Sequence, residues 1–372
     1  MIRVLLVARY RHPTMLRKAE AMAAHPDVHL RTVIPARWQD YFFTAEQTSH
    51  PSTQDERVAL PMLGDPTDPH RALYRTLTFG LRSFRPHIVH AEEEPDSLAA
   101  LQVALARRFL APQARLVLHT WQNLDRPKGV HVRAVMWATL AAADGVLCAN
   151  QEAAELLRRQ GYPGPTPVIP AIGVDTTTFR PCPPPDGPTF HLGYVGRLVP
   201  EKGLETLLEA LAQLQEGEPA RQLSLTLVGD GPSLAALQGQ VTRLGLGERV
   251  TFLGPMTPEE VAEQLCTFHA LVLPSRTTPV WKEQLGRVLL EAMACGVPVI
   301  GSDSGAIPEV IDQAGLLFPE GDARALADRL AQLAGDPALW AELRRRGLAR
   351  AQEYSQVRLA ERTLAFYREL LA

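Results

Sequence analysis

Trp281-Lys-Glu-Gln-Leu-Gly-Arg-Val-Leu-Leu-Glu-Ala-Met-Ala-Cys-Gly-Val-Pro-Val-Ile-Gly-Ser-Asp-Ser-Gly305 sets two carboxylates, Glu283 and Glu291, around a glycine and the start of an apolar helix, with a buried strand behind. A helix beginning near Leu285 turns the free N–H groups of its first turn outward, toward an anion such as a phosphate. Gly286 leaves room for a close approach there. Glu283 then sits at the mouth of the site and Glu291 about two turns further in, at ~1.5 Å per residue. Two acids repel a phosphate, so they address its neutral neighbours, and the hydroxyls of a sugar and a ribose are the obvious ones. The stretch implies a nucleotide-sugar site.

Outward from it, short apolar runs alternate with helical patterns. Residues 190–195, 224–228, 249–253, 270–273, 297–301 and 315–318 read as strands. Leu204, Leu207, Leu208, Leu211 and Leu214 mark one helix face, and 322–334, 336–351 and 356–371 read as further helices. An earlier series has strands at 2–8, 28–34, 87–91, 115–119 and 145–149, with helices at 14–24, 70–84, 96–109, 132–142 and 151–160. Strands alternating with helices imply parallel sheets covered on both faces. Between the series, residues 162–188 hold nine prolines, too many for sheet or helix, and read as the connection. The reading is α/β, with one domain at 1–183 plus 355–372 and the other at 184–354. Ligands in such open sheets lie beyond the carboxyl ends of the strands.

Composition excludes several classes. The 372 residues carry 38 Lys or Arg and 41 Asp or Glu, with no polybasic tail, which argues against nucleic acid as a partner. The four cysteines have no metal-ligand spacing; Cys148, Cys266 and Cys295, in or beside apolar runs, read as buried thiols of a reducing compartment. Residues 1–8 read as a strand rather than a signal peptide, no run has the length of a membrane span, and a cytoplasmic protein is expected. No GxGxxG fingerprint or phosphate-binding P-loop is present. A peripheral membrane contact near 77–84 is kept as a possibility of the first domain.

Two more clusters follow strands of the second series. Gly196-Arg197 precedes Pro200-Glu201-Lys202-Gly203, where Arg197 can fork onto a phosphate and Lys202 adds a point charge; the alternative is two solvated basic residues. Gly229-Asp230-Gly231-Pro232 permits a tight turn against a flat ligand, although many turns look alike.

In this order, the clusters resemble the retaining glycosyltransferases of family 4 (glycosyl transferases group 1). The resemblance runs from Gly196-Arg197 through Lys202, Gly229–Pro232, Phe252-Leu253-Gly254, Leu273-Pro274-Ser275 and the acidic pair to Ser304-Gly305 and Glu309; more loosely it takes in Gly173-Val174-Asp175, Phe179 and Tyr354-Ser355. It implies the GT-B fold, two facing Rossmann-like domains with a cleft between them and a last helix crossing back to the first. It also implies roles. Arg197 and Lys202 hold the donor diphosphate, Glu291 binds the ribose and Glu283 the transferred sugar; Arg197, Lys202 and Glu283, with His119, are the catalytic candidates. Gly196, Gly229, Gly231, Met256, Leu285, Gly286 and Arg287 complete the donor side. The implied reaction retains configuration and needs no metal or other cofactor beyond the nucleotide-diphosphate sugar as co-substrate. Lys202 and Arg197 stabilise the departing diphosphate, and a donor phosphate oxygen takes the acceptor proton without a protein nucleophile. The acceptor is a sugar, a lipid-linked or a small-molecule hydroxyl, in glycan, polysaccharide or glycolipid synthesis.

The first half departs from the family pattern. Ala8-Arg9-Tyr10-Arg11-His12-Pro13-Thr14 replaces a Gly-rich loop, and Trp121 stands where a histidine is usual, with His119 nearby either catalytic or a satisfied strand-end histidine. Arg9, Arg11, His12, Glu94 and Trp121 are the acceptor-side candidates; the basic trio means either an acidic acceptor or a solvated loop. A sugar-nucleotide epimerase and a non-catalytic relative are the competing readings.

Overall fold

The computed structural model describes all residues except 11–12, 40–43, 51, 53–54 and 217–221. The chain divides into two compact units, Met1–Gly173 with Gln356–Ala372, and Val174–Ser355.

In the first unit, strands β1 (Ile2–Ala8), β2 (Val28–Pro35), β5 (Asp55–Leu60), β8 (Ile88–Glu92), β9 (Arg115–Thr120) and β10 (Gly145–Cys148) form one parallel sheet in the order β10-β9-β8-β1-β2-β5. Two short antiparallel pairs, β3 (Arg37–Gln39) with β4 (Thr44–Glu46) and β6 (Met62–Leu63) with β7 (Leu73–Tyr74), lie outside it. Helices α1 (Arg17–Ala23), α2 (Leu81–Phe84), α3 (Leu98–Leu110), α4 (Val130–Ala142) and α5 (Gln151–Arg159) complete this part. Ser97 and Asn150 cap α3 and α5, each side chain accepting a bond from the third backbone N–H on.

Side chains alternate across each strand, so the sheet has two apolar faces. Leu5, Val89, Leu116 and Leu118 pack with Ala100, Val103 and Ala104 of α3, and Leu140 of α4 joins them. Val4, Leu6, Ile88, Val117 and Leu147 pack with Ala19 and Met22 of α1 and with Leu359, Leu364 and Tyr367 of the last helix, α13 (Gln356–Leu371). That helix belongs to the first unit, as expected.

The second unit repeats the plan. β11 (Phe190–Val195), β12 (Leu223–Val228), β13 (Val250–Leu253), β14 (Ala270–Leu273), β15 (Val299–Ser302) and β16 (Gly315–Phe318) form a parallel sheet in the order β13-β12-β11-β14-β15-β16. Helices α6 (Leu204–Glu216), α7 (Leu234–Arg243), α8 (Pro258–Leu265), α9 (Arg287–Cys295), α10 (Ile307–Ile311), α11 (Ala323–Gly335) and α12 (Pro337–Glu353) alternate with them. The predicted leucine face of α6 is real: Leu204, Leu207, Leu208 and Leu211 are buried.

Several expectations change. The boundary falls at Gly173–Val174 rather than at 183–184, because the segment after it is bound into the second unit: Val174 pairs with Ser355, and the Cys182 N–H donates to the Cys295 carbonyl at 3.1 Å. Cys266, read as a thiol, is joined to Cys182 as a disulfide with a Cα–Cα distance of 5.8 Å, within the ordinary bridging range. Cys148 and Cys295 are buried thiols as expected, each pushed up to about 12 by burial. The predicted helix at 70–84 shrinks to α2, because Phe79, Gly80 and Arg85 all take positive φ and interrupt it. Leu81 and Phe84 point into the core, so 77–84 is no amphipathic surface helix. No helix among the described residues is long and apolar enough to cross a membrane.

Candidate active site

In an open parallel sheet, the crevice for a ligand opens where neighbouring strands leave in opposite directions. In the second unit that point lies between β11 and β14, since the chain runs from β11 to β12 and β13 on one side and returns as β14 on the other. The sequence puts its distinctive residues at these two carboxyl ends: Gly196-Arg197 and the 3-10 turn Pro200–Lys202 after β11, Pro274-Ser275 after β14.

The two ends are tied together. Gly203 takes φ 63°, and a Cβ there would stand 2.2 Å from the Pro274 carbonyl oxygen, so only glycine lets the lysine turn approach β14. The Lys202 ammonium meets a Glu283 carboxylate oxygen at 2.6 Å, and the Ser275 hydroxyl donates to the same oxygen at 2.9 Å. The same ammonium also lies over the Trp281 ring, 4.7 Å from its centroid. The Thr278 hydroxyl accepts the Trp281 N–H at 2.9 Å and fixes this turn. Gly305, at φ 55°, passes so close beneath Glu283 that a Cβ would fall 2.1 Å from its carbonyl oxygen, which accepts the Ala306 N–H at 3.0 Å. Glu283 is thereby held by its backbone and by its carboxylate.

Glu291 is buried on α9 and finds its partner in Arg287 one turn earlier, Nε to Oε1 2.9 Å. α9 begins at Arg287, directly after Gly286, rather than at Leu285, whose side chain is buried in the core. The Arg197 side chain is half exposed, with Glu201 at 3.9 Å as a loose partner. Its carbonyl accepts a 2.7 Å bond from the buried Tyr194 hydroxyl. Gly229 donates to the carbonyls of Leu253 and Gly254, which places the turn through Gly231 beside the Pro255-Met256 segment. Every donor-side candidate therefore lies at the carboxyl edge of one sheet. Ser275 and Trp281 complete the arrangement: Ser275 lies in the Leu273-Pro274-Ser275 motif of the resemblance without a role assigned to it there, and Trp281 was signalled only by being an aromatic two residues before Glu283.

The first unit has its own switch point, between β1 and β8. There Arg9 Nε donates to both Glu93 carboxylate oxygens, at 2.7 and 2.8 Å, and Nη1 donates to the Pro66 carbonyl at 3.0 Å. Its guanidinium is thus occupied, which favours the structural over the anion-binding reading of Arg9. Arg11 and His12 lie outside the described residues. Glu92 is bound by the fully buried Lys18 of α1 and by the Tyr10 hydroxyl.

Glu94 accepts from the Thr120 hydroxyl at 2.7 Å and from the Trp121 N–H at 2.8 Å. These bonds join the carboxyl ends of β8 and β9 and bring two acceptor-side candidates together. His119 is instead buried, and strand alternation sends its ring, with Val117, toward the α1–α13 face. Burial holds it well below the usual histidine range. That position is one of a core histidine and removes it from the catalytic candidates.

Burial pushes the Glu94 carboxyl up to about 7, only partly opposed by the bonds from Thr120 and Trp121. The unfolded chain releases this proton near the ordinary value of 4.5, so between 4.5 and about 7 only the native state retains it. Stability from the neutral group is therefore present at low pH and lost as pH rises through that window, by a total on the order of 3 kcal/mol. Glu94→Gln preserves an acceptor for the Trp121 N–H. It is expected to raise the urea midpoint at pH 8 and change it little at pH 5; an equal effect at both pH values would show that Glu94 does not titrate there.

Comparison with known proteins agrees with this geometry. The model for glycosyl transferases group 1 matches residues 175–353, and that for glycosyltransferase family 4 matches 19–178. HepE of Anabaena, solved in complex with UDP, superposes with a TM-score of 0.73 at 20% identity, covering 99% of this chain and 100% of that one. The two Rossmann-like units are those of the GT-B class. The chain belongs to the family 4, group 1 glycosyltransferases. It is 33% identical over 189 residues to the D-inositol 3-phosphate glycosyltransferase of Corynebacterium jeikeium, 49% of this chain and 44% of that protein. The putative glycosyltransferase EpsD of Bacillus subtilis is 29% identical over 354 residues, 89% of each chain. The chain spans about half the length of the first of these relatives.

Proposed function

We propose that the protein transfers a sugar, with retention of configuration, from a nucleotide-diphosphate sugar to an acceptor hydroxyl in glycan or glycolipid synthesis. The observation that carries this is the Lys202–Glu283–Ser275 cluster at the β11/β14 switch point, with Arg197 on the same edge. The largest charge change in the reaction falls on the departing diphosphate, and Lys202 and Arg197 supply fixed positive charge for it in place of a cation. Glu283 then has two partners to exchange: donor phosphates draw the ammonium away, and the carboxylate is freed for sugar hydroxyls. Glu291, aligned by Arg287, receives the ribose hydroxyls. Glu94 and Trp121 lie on the acceptor side. Family membership favours transfer over epimerisation, and the intact donor cluster favours an enzyme over a silent relative.

The test is a screen of UDP-, GDP- and ADP-sugars for slow hydrolysis and for transfer, with the UDP series first because HepE was solved with UDP. One donor is expected to turn over, with the product anomer unchanged. Glu291→Ala is expected to raise the donor KM by about tenfold to a hundredfold, the loss of one or two charge-assisted hydrogen bonds. Turnover of no donor, or an unaltered KM in the variant, would reject the assignment.

A further inference from the structure

Helices α3 and α4 lie side by side on one face of the first unit's sheet, and both turn large apolar side chains outward. Phe109 is 73% exposed, Val130 and Trp137 are each 74% exposed, and Leu105 is exposed beside them. On α4, Val130, Ala134, Trp137 and Ala141 recur at four-three-four spacing and all face solvent. They form an apolar stripe about 16 Å long. A surface helix normally buries such a stripe and shows its polar side to water.

The charges around it are mostly positive. Residues 98–142 contain six Lys or Arg and a single acid, Asp125, and neither helix has a carboxylate. Arg107 and Arg115 are paired with Asp144, and Lys128 with Asp96. Arg108, Arg126 and Arg133 are exposed and form no ion pair among the described residues. Both helices start at the sheet edge that carries Glu94 and Trp121, since α3 follows the 92–97 segment and α4 follows 121–129.

We propose that the α3–α4 face docks on an anionic lipid surface, with Phe109, Val130 and Trp137 entering the headgroup boundary and Arg108, Arg126 and Arg133 meeting lipid phosphates. Trp and Phe suit that boundary, and each nearby cation adds attraction to an anionic bilayer. A second copy of the chain is the poorer occupant, because a two-fold contact brings the same uncompensated arginines together. The consequence for the acceptor is direct: a docked bilayer presents lipid-borne hydroxyls at the edge holding Glu94 and Trp121. The docking itself does not depend on the sugar-transfer reading.

The experiment is flotation of the full chain with phosphatidylcholine vesicles and with vesicles in which phosphatidylglycerol replaces part of that lipid. Binding is expected only to the anionic vesicles and is expected to weaken with salt. Arg108→Gln with Arg133→Gln should reduce vesicle affinity about 30-fold, near fivefold for each charge. Trp137→Ser with Phe109→Ser should reduce it by about tenfold or more. All four positions are exposed, so the variants are expected to keep the circular dichroism and donor hydrolysis of the parent. Absence of flotation, equal flotation by the variants, or a lipid-free dimer in light scattering that Trp137→Ser dissolves would each overturn the proposal.

Discussion

Lys202→Ala is expected to lower kcat for sugar transfer by about 10²–10³-fold, the usual cost of removing one fixed group that stabilises transition-state charge. The effect should fall on kcat more than on donor KM, because charge on the diphosphate grows as the sugar leaves. Lys202→Arg is not expected to rescue fully: the compact ammonium contacts both the Glu283 carboxylate at 2.6 Å and the Trp281 ring at 4.7 Å, and a larger planar guanidinium does not reproduce a point charge at that position. The alanine substitution also removes the Lys202 ammonium from Glu283, while the Ser275 hydroxyl still donates to its carboxylate. A double-mutant cycle with Glu283→Gln, reading kcat and thermal midpoint together, separates the two consequences. Equal kcat in Lys202→Ala and the parent would end the assignment of Lys202 as the diphosphate residue.

Lys18→Met is the second large expectation, and it concerns the first unit. Lys18 is fully buried on α1 and its ammonium pairs with Glu92 at the end of β8. Breaking a buried pair from one side leaves the other charge uncompensated, which costs about 3–5 kcal/mol. Methionine fills nearly the same volume, so little of the loss would come from a cavity. Lys18→Met with Glu92→Gln should recover most of the stability, because the stranded charge is then gone and the Tyr10 hydroxyl retains an acceptor. Urea unfolding followed by circular dichroism checks both variants. A single variant as stable as the parent, or a double variant no better than the single, would contradict this account.

The donor half was legible because most of its chemistry sits in strand-to-helix turns with distinctive residues: Arg197, Lys202 and Glu283 occupy such turns, and Glu291 follows one turn into α9. Parallel strands buried on both faces, such as β1 and β14, also announce themselves as apolar runs. β5 gave no such signal. Its residues Asp-Glu-Arg-Val-Ala-Leu are all half-buried at the edge of the sheet, where one side stays solvated. The 70–84 stretch has helix-like apolar spacing, but positive φ at Phe79, Gly80 and Arg85 is a tertiary outcome that periodicity does not encode. The Cys182–Cys266 pairing was hidden by a separation of 84 residues. His119 shows a different limit: position along a strand was clear, but which face its ring took depended on the register of the whole sheet.

Because α13 completes the first unit, that unit is interrupted in the chain by all of Val174–Ser355. At ~5–20 residues per second, a ribosome takes roughly ten to forty seconds to make the interruption. During that interval the early residues lack the helix whose Leu359, Leu364 and Tyr367 cover Val4, Leu6 and Ile88. The second unit has its entire sequence by then and can fold. The order of maturation is therefore the reverse of the order of synthesis, and the nascent first half is the part of the chain that needs protection from aggregation.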